Sequence, residues 1–125
     1  MLYRRAAAAA YQKASLETSP IRILDALLGR LIQDIDDGRQ AMEAKDVVAK
    51  NKAVDHALAI VGELKLALDR RHSEELCDRL ESLYEFVESR LLQGSLKMDP
   101  KMMEEARPIV ETICSAFRDV MEAAA

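Results

Sequence analysis

Residues 19–42 read SPIRILDALLGRLIQDIDDGRQAM. Ile21, Leu24, Leu28, Leu31, Ile35, Gly38 and Met42 follow one another at alternating steps of three and four. That spacing lines one face of a helix. Ile23, Leu27 and Ile32 widen the stripe, and a wide apolar stripe calls for more than one neighbouring element. Ser19 predicts an N-cap and Pro20 the first helical position, where proline's missing N–H would be unpaired anyway. A long, capped helix with a broad apolar face points to a helical bundle.

Downstream, the same beat recurs three times. Asp46 is a candidate N-cap for a second helix, with Val47, Val54, Leu58, Val61, Leu64 and Leu68 as its stripe and Ala57, Ile60 and Ala67 beside it. Gly62 costs this helix about 1 kcal/mol relative to alanine and is expected to allow the close approach of a neighbouring backbone. The stripe stops at Asp69-Arg70-Arg71-His72. Ser73 caps a third helix, with Glu74 and Glu75 in the first turn, where carboxylates suit the helix dipole. Its expected core line is Leu76, Leu80, Leu83, Val87 and Leu91, with Tyr84 and Phe86 on the flanks and Gly94-Ser95 as its end. Asp99-Pro100 repeats the cap-plus-proline signal before Met102, Ala106, Ile109, Ile113, Phe117 and Val120. Pro108 inside that series predicts a bend near Glu104–Arg107, or a helix that effectively begins later.

These signals predict an all-α fold, an antiparallel up-down four-helix bundle over residues 19–125. Its helices are expected at about 20–44, 47–69, 73–93 and 100–122, joined by short loops. Residues 1–18 are left as a short N-terminal helical arm, AAAAAYQKA at its centre. A helix shorter than about 12 residues is marginal alone, so the arm is ordered when Tyr11 or Leu16 finds an apolar surface.

The totals agree. The chain has 125 residues, suited to one domain, and is 50% hydrophobic and 32% charged. Only 4 Gly and 3 Pro punctuate it, and good helix formers dominate. A net charge of −4 argues against nucleic acid, which demands a basic face, and disfavours anionic membranes. No run approaches the roughly 20 apolar residues of a membrane span. RRAAAAA is too short and too weakly apolar for a secretory signal, so the expected location is the cytoplasm. Cys77 and Cys114 sit in helical apolar patterns and read as small buried hydrophobes in a reducing compartment.

The residues offer no chemistry. A di-iron bundle needs Glu-x-x-His on two helices, and the chain has none. Asp69-x-x-His72 falls at a helix end, and His56 has no carboxylate three residues before it. Both histidines are expected at the surface. Neither cysteine has a motif marking a reactive thiolate, and no glycine-rich phosphate loop is present. Asp36-Asp37, Glu74-Glu75 and Glu104-Glu105 are adjacent pairs, which diverge by about 100° on a helix. No catalytic residue, metal ligand or cofactor is expected, and the chain does not read as an enzyme. What remains is recognition by surface, such as an apolar groove for a partner helix.

Particular motifs narrow this further. YQKASLETSP before the first long helix supplies Tyr11, Thr18, Ser19 and Pro20. EAKDVVAKNKAVDHALAIVGELKLALD carries Asp46-Val47 and Ala57-Leu58-Ala59-Ile60-Val61. LESLYEFVESRLLQGSLKMD carries Leu83-Tyr84-Glu85-Phe86, Arg90-Leu91-Leu92 and Leu96-Lys97-Met98-Asp99. In order and spacing, from about Ala10 to Val120, these resemble the flagellin export chaperones of the FliS family. Departures are the direct Thr18-Ser19 junction, Leu28-Gly29-Arg30 for an aromatic-Asp-Gly, and Arg71-His72-Ser73 in the region of a Gly-Gly. Ser95 stands for an asparagine and Phe117 for a late tryptophan.

The resemblance implies a cytoplasmic chaperone that holds the C-terminal helices of flagellin until delivery to the flagellar export apparatus. It implies no cofactor and no ATP chemistry. The expected partner-binding residues are Tyr11, Leu16, Ile23 and Leu27 from the arm and first helix, and Tyr84, Phe86 and Leu91 from the third. The chain is expected to be a monomer or weak homodimer without membrane insertion. The alternative is a helical dimerising adaptor without a flagellin client, burying the same apolar surplus in a self-complementary interface.

Overall fold

The computed structural model describes residues 20–71 and 73–124. The arm at 1–18, with Tyr11 and Leu16, lies outside the described residues, as do Ser19 and His72. The described chain is an all-α bundle: α1 (Pro20–Glu43), α2 (Val47–Leu66), α3 (Glu74–Lys97), α4 (Pro100–Glu104) and α5 (Ala106–Ala124). Helices α4 and α5 together form the fourth column, interrupted at Glu105. Pro108 explains the place of the break, because it has no N–H to offer the carbonyl of Glu104 four residues earlier.

Helix α1 packs on α2 along one flank and on α4 and α5 along the other. Helix α3 packs on α2 and α4, and less closely on α5. Helices α1 and α3 therefore sit diagonally across the bundle. The core is drawn from all the helices: Leu28, Leu31 and Ile35; Ala57, Val61 and Leu64; Cys77, Tyr84, Val87 and Leu91; Met103, Ala106 and Val110.

Two reverse turns at one end are built alike. After α1, Lys45 takes a left-handed conformation (φ 57°), Asp46 N donates to Ala41 O at 2.8 Å and Lys45 N to Met42 O at 3.1 Å. After α3, Met98 does the same (φ 49°), with Asp99 N to Gly94 O at 2.9 Å and Met98 N to Ser95 O at 3.2 Å. Both are Schellman closures with a residue other than glycine in the left-handed position. In each, the following aspartate caps the next helix. Asp46 Oδ1 accepts from Ala49 N at 3.0 Å, and Asp99 Oδ1 from Lys101 N at 3.0 Å. Ser73 Oγ likewise accepts from Leu76 N at 3.2 Å.

Three expectations need correction. Helix α3 does not stop at Gly94-Ser95 but runs to Lys97. Gly94 is helical and serves a close approach instead: a Cβ there would lie 3.0 Å from Met103 N and 3.3 Å from Asp99 O. Helix α2 ends at Leu66 rather than near 69. Asp69 accepts from Arg71 N at 3.1 Å, a local side-chain bond that competes with helix continuation. Finally, the core line of α3 is Cys77, Leu80, Tyr84, Val87, Leu91 and Gly94. Tyr84 is 2% exposed and Leu83 37%, the reverse of what the leucine series suggested. This rotation turns Glu81, Glu85 and Glu88 toward cations of α2 and the segment after it.

Candidate partner-binding surface

Helix α3 has two unlike flanks. On the first, Glu88 accepts from Lys65 Nζ at 3.1 Å and Glu85 stands 3.9 Å from the same ammonium. Arg70 pairs with Asp78 and, at 3.1 Å, with Glu81. The hydrogen bond with Glu88 raises the pKa of Lys65, and those with Asp78 and Glu81 raise that of Arg70. This flank is closed by ion pairs against α2 and the α2–α3 connection.

The second flank turns toward α4 and α5, where Arg90 Nη1 meets Glu105 Oε2 at 3.4 Å. Here Leu83 stays exposed and Phe86 is 43% exposed. The Arg90 guanidinium lies over the Phe86 ring, 5.5 Å from its centroid, a cation–π arrangement. Helix α5 faces this flank with half-buried Ile109 and exposed Thr112 and Ala116, placed by helical periodicity on the side away from its α1 ion pairs. The result is a partly exposed apolar strip, edged by Arg90 and Glu105, along the looser seam of the bundle.

The expected binding residues divide accordingly. Phe86 lies on this strip. Ile23 is exposed and Leu27 half-buried, but both share the flank of α1 that carries Asp34 toward α2, which is a separate patch. Tyr84 and Leu91 are buried in the core, Leu91 completely, and neither is offered to a partner by this packing. They support the strip from beneath. Leu83, which belongs to it, was read from sequence as core.

Pairing across helices also escaped the sequence reading. Asp34 is 1% exposed. Its Oδ1 accepts from Arg30 Nε at 3.2 Å and its Oδ2 meets Nδ1 of His56 on α2. His56 is thus a surface residue that covers a buried carboxylate. Lys50 is buried, and its Nζ donates to Ser95 O at 3.2 Å and Ser95 Oγ at 3.1 Å. It places a cation on the last-turn carbonyls of α3, where the helix dipole favours one. Arg39 Nε stands 3.1 Å from Glu104 Oε2, at an angle that makes an ion pair rather than a hydrogen bond. Cys77 and Cys114 are free and buried. Burial pushes the Cys114 thiol above its ordinary pKa, the opposite of what a nucleophile needs.

Among the described residues, no group of three or more His, Cys, Asp or Glu is placed to hold a metal ion. No described helix is long and apolar enough to cross a membrane. The described residues thus form a helical bundle with a partly exposed apolar strip between two of its columns.

The comparisons identify which kind. The model of the family described as flagellar protein FliS matches residues 3–124. The flagellar secretion chaperone FliS of Salmonella typhimurium is 29% identical over 125 residues, covering 95% of this chain and 93% of that one. Its Bacillus subtilis namesake is 31% identical over 116 residues, covering 92% and 83%. Pseudomonas aeruginosa FliSB, also named a flagellar secretion chaperone, is 26% identical over 93% of this chain and 96% of its own. A bacterial flagellar chaperone crystal structure superposes with a TM-score of 0.80 over 92% of this chain and 94% of that chain, at 18% identity. The chain belongs to the FliS family, a family of chaperones rather than enzymes.

Proposed function

We propose that this protein is a cytoplasmic export chaperone that binds the C-terminal helical segment of flagellin and brings it to the flagellar secretion apparatus. Family membership over nearly the whole chain carries the reading. The apolar strip supplies a physical means. Flagellin's amphipathic terminal helices are inclined to associate with one another. While one of them lies on Leu83, Phe86 and the facing residues of α5, it is closed to a second flagellin. The mechanism is competition for an apolar face and needs no covalent step.

Ile23 and Leu27 form the second contact in this reading. They lie on α1, diagonal to α3, so one straight helix covers only one of the two patches. Tyr11 and Leu16 remain proposed contacts of the arm. Ordering a flexible segment on binding offsets part of the contact energy, which keeps the complex releasable at the export gate. The protein acts in this role as a monomer or weak homodimer.

Titration calorimetry with a peptide of the flagellin C-terminus tests the reading. A one-to-one complex, with helicity exceeding the sum of the parts, is expected. No heat of binding at tens of micromolar would sink it. A concentration-independent dimer by light scattering, unmoved by flagellin, would favour the adaptor instead.

A further inference from the structure

The flank of α3 that carries Leu83 and Phe86 is also charge-segregated. Arg79, Leu83, Phe86, Arg90, Gln93 and Lys97 follow at steps of four and three, so they share one stripe along the helix. From Arg79 to Lys97 the stripe contains three cations, and its one carboxylate, Glu75, lies a turn before Arg79, on a chain with net charge −4. Most acids of α3, Asp78, Glu81, Glu85 and Glu88, occupy the other side and are turned toward α2 or its connection.

Arg90 is weakly held. Among the described residues its one ion pair is the 3.4 Å contact to Glu105, and its Nε is buried with no hydrogen-bond partner among them. By comparison, Arg30 reaches its carboxylate at 3.2 Å and Arg118 at 3.1 Å. Among the described residues Arg79 is paired with Glu75 on its own exposed surface, a kind of pair that water screens.

We infer that this stripe selects helices whose apolar face is rimmed by carboxylates, with Arg90 as the specificity-determining contact and Glu105 as the internal competitor that a client's acid displaces. The inference deepens the proposed function and rests on that reading for the identity of the client. Its electrostatic content stands independently. Apolar contact to Leu83 and Phe86 supplies affinity, and the cations fix which helix is accepted and in which register. The Phe86 ring, 5.5 Å below the Arg90 guanidinium, helps hold it in place, which limits the side-chain freedom lost on binding.

The experiment uses the full chain and two probes. One is the flagellin C-terminal peptide, compared with a version whose Glu and Asp are changed to Gln and Asn. The other is a synthetic leucine-faced helix with a glutamate rim, compared with a glutamine rim. Variants Arg90→Gln, Glu105→Gln and Phe86→Ser are checked for native helicity and melting before use. Arg90→Gln is expected to weaken the acidic probes about three- to tenfold, as a partly desolvated ion pair should. It should flatten their salt dependence and leave the amidated probes unaffected. Glu105→Gln is expected to tighten the acidic probes. If Phe86→Ser abolishes binding but Arg90→Gln and Glu105→Gln leave it unchanged, the strip binds without reading charge and the inference falls, while the chaperone reading survives. If the synthetic acid-rimmed helix binds through Arg90 and flagellin does not bind, the client assignment falls and the stripe stands. Failure of both acidic probes overturns the inference.

Discussion

The two ends of the bundle are built differently. At the end that holds the α1–α2 and α3–α4 turns, backbone meets backbone. Gly94 lies against Met103 and Asp99, Met103 reaches Gly38, and the buried Lys50 closes the last turn of α3. At the other end, α2 and α3 are joined through exposed or half-exposed charges: Lys65 with Glu88, Arg70 with Asp78 and Glu81. Ile23 and Leu66 stand exposed there, as Val48 and Leu96 do at the first end, and among the described residues nothing lies within 4 Å of a Cβ placed on Gly29 or Gly62. Register and rigidity come from the crowded end. The open end has room to change what it touches.

Substitutions can break this contrast. Met103→Ala removes a fully buried side chain at the crowded end, and about 2–5 kcal/mol of stability should be lost in urea unfolding. Paired glycine replacements give opposite signs. Gly94→Ala forces a methyl against backbone that cannot yield, and should cost about 1–3 kcal/mol. Gly62→Ala fills open space on a helix and should add up to about 1 kcal/mol. Equal effects at the two glycines would erase the distinction between the ends. Lys50→Met keeps the stem but removes the bonds to Ser95. A loss of about 1 kcal/mol is expected, with amide exchange at the end of α3 accelerating first.

The smallest effect belongs to Lys65 at the open end. Glu88 raises its folded pKa above 10.5. A raised cation contributes fully below its unfolded pKa and loses that contribution as pH climbs through the folded value. Lys65→Met should therefore cost under about 1 kcal/mol at neutral pH, as partly exposed pairs do. The gap from the parent should close in buffer well above pH 10.5. A gap that widened with alkalinity would reverse the assigned sign.

Much of the architecture was legible because it is written locally. Asp46, Ser73 and Asp99-Pro100 announce helix starts by chemistry confined to three or four residues, and Pro108 marks a break through its own missing donor. The rotation of α3 was not legible. Leu76-Leu80-Leu83 and Cys77-Leu80-Tyr84 have nearly the same spacing, and hydropathy favours the leucines. What favours the second line is the partnering of glutamates with Lys65 and Arg70, which depends on a neighbouring column. The binding surface followed suit. Phe86 was found as apolar surplus, whereas Tyr84 was placed on a flank and Leu83 in the core, and Leu91 was rightly put on the core line but also counted as a contact. Asp34 and His56, 22 residues apart on different helices, gave no signal in either neighbourhood.

That last pair has a consequence for how the chain avoids misfolded decoys. Packed helices with repeating apolar stripes can slide past each other by one turn and still bury leucine against leucine. Asp34 does not tolerate the slide that brings the next turn of α2 alongside it. With Ile60 brought to the place of His56, a carboxylate that is 1% exposed in the native packing would lose one of its two partners and face hydrocarbon. Leaving a buried acceptor short of a partner costs about 1–3 kcal/mol, a sizeable share of the net stability of many small domains. A single acid inside the α1–α2 seam thus acts as a proofreader of alignment, penalising the near-miss bundle that the hydrophobic pattern alone would accept.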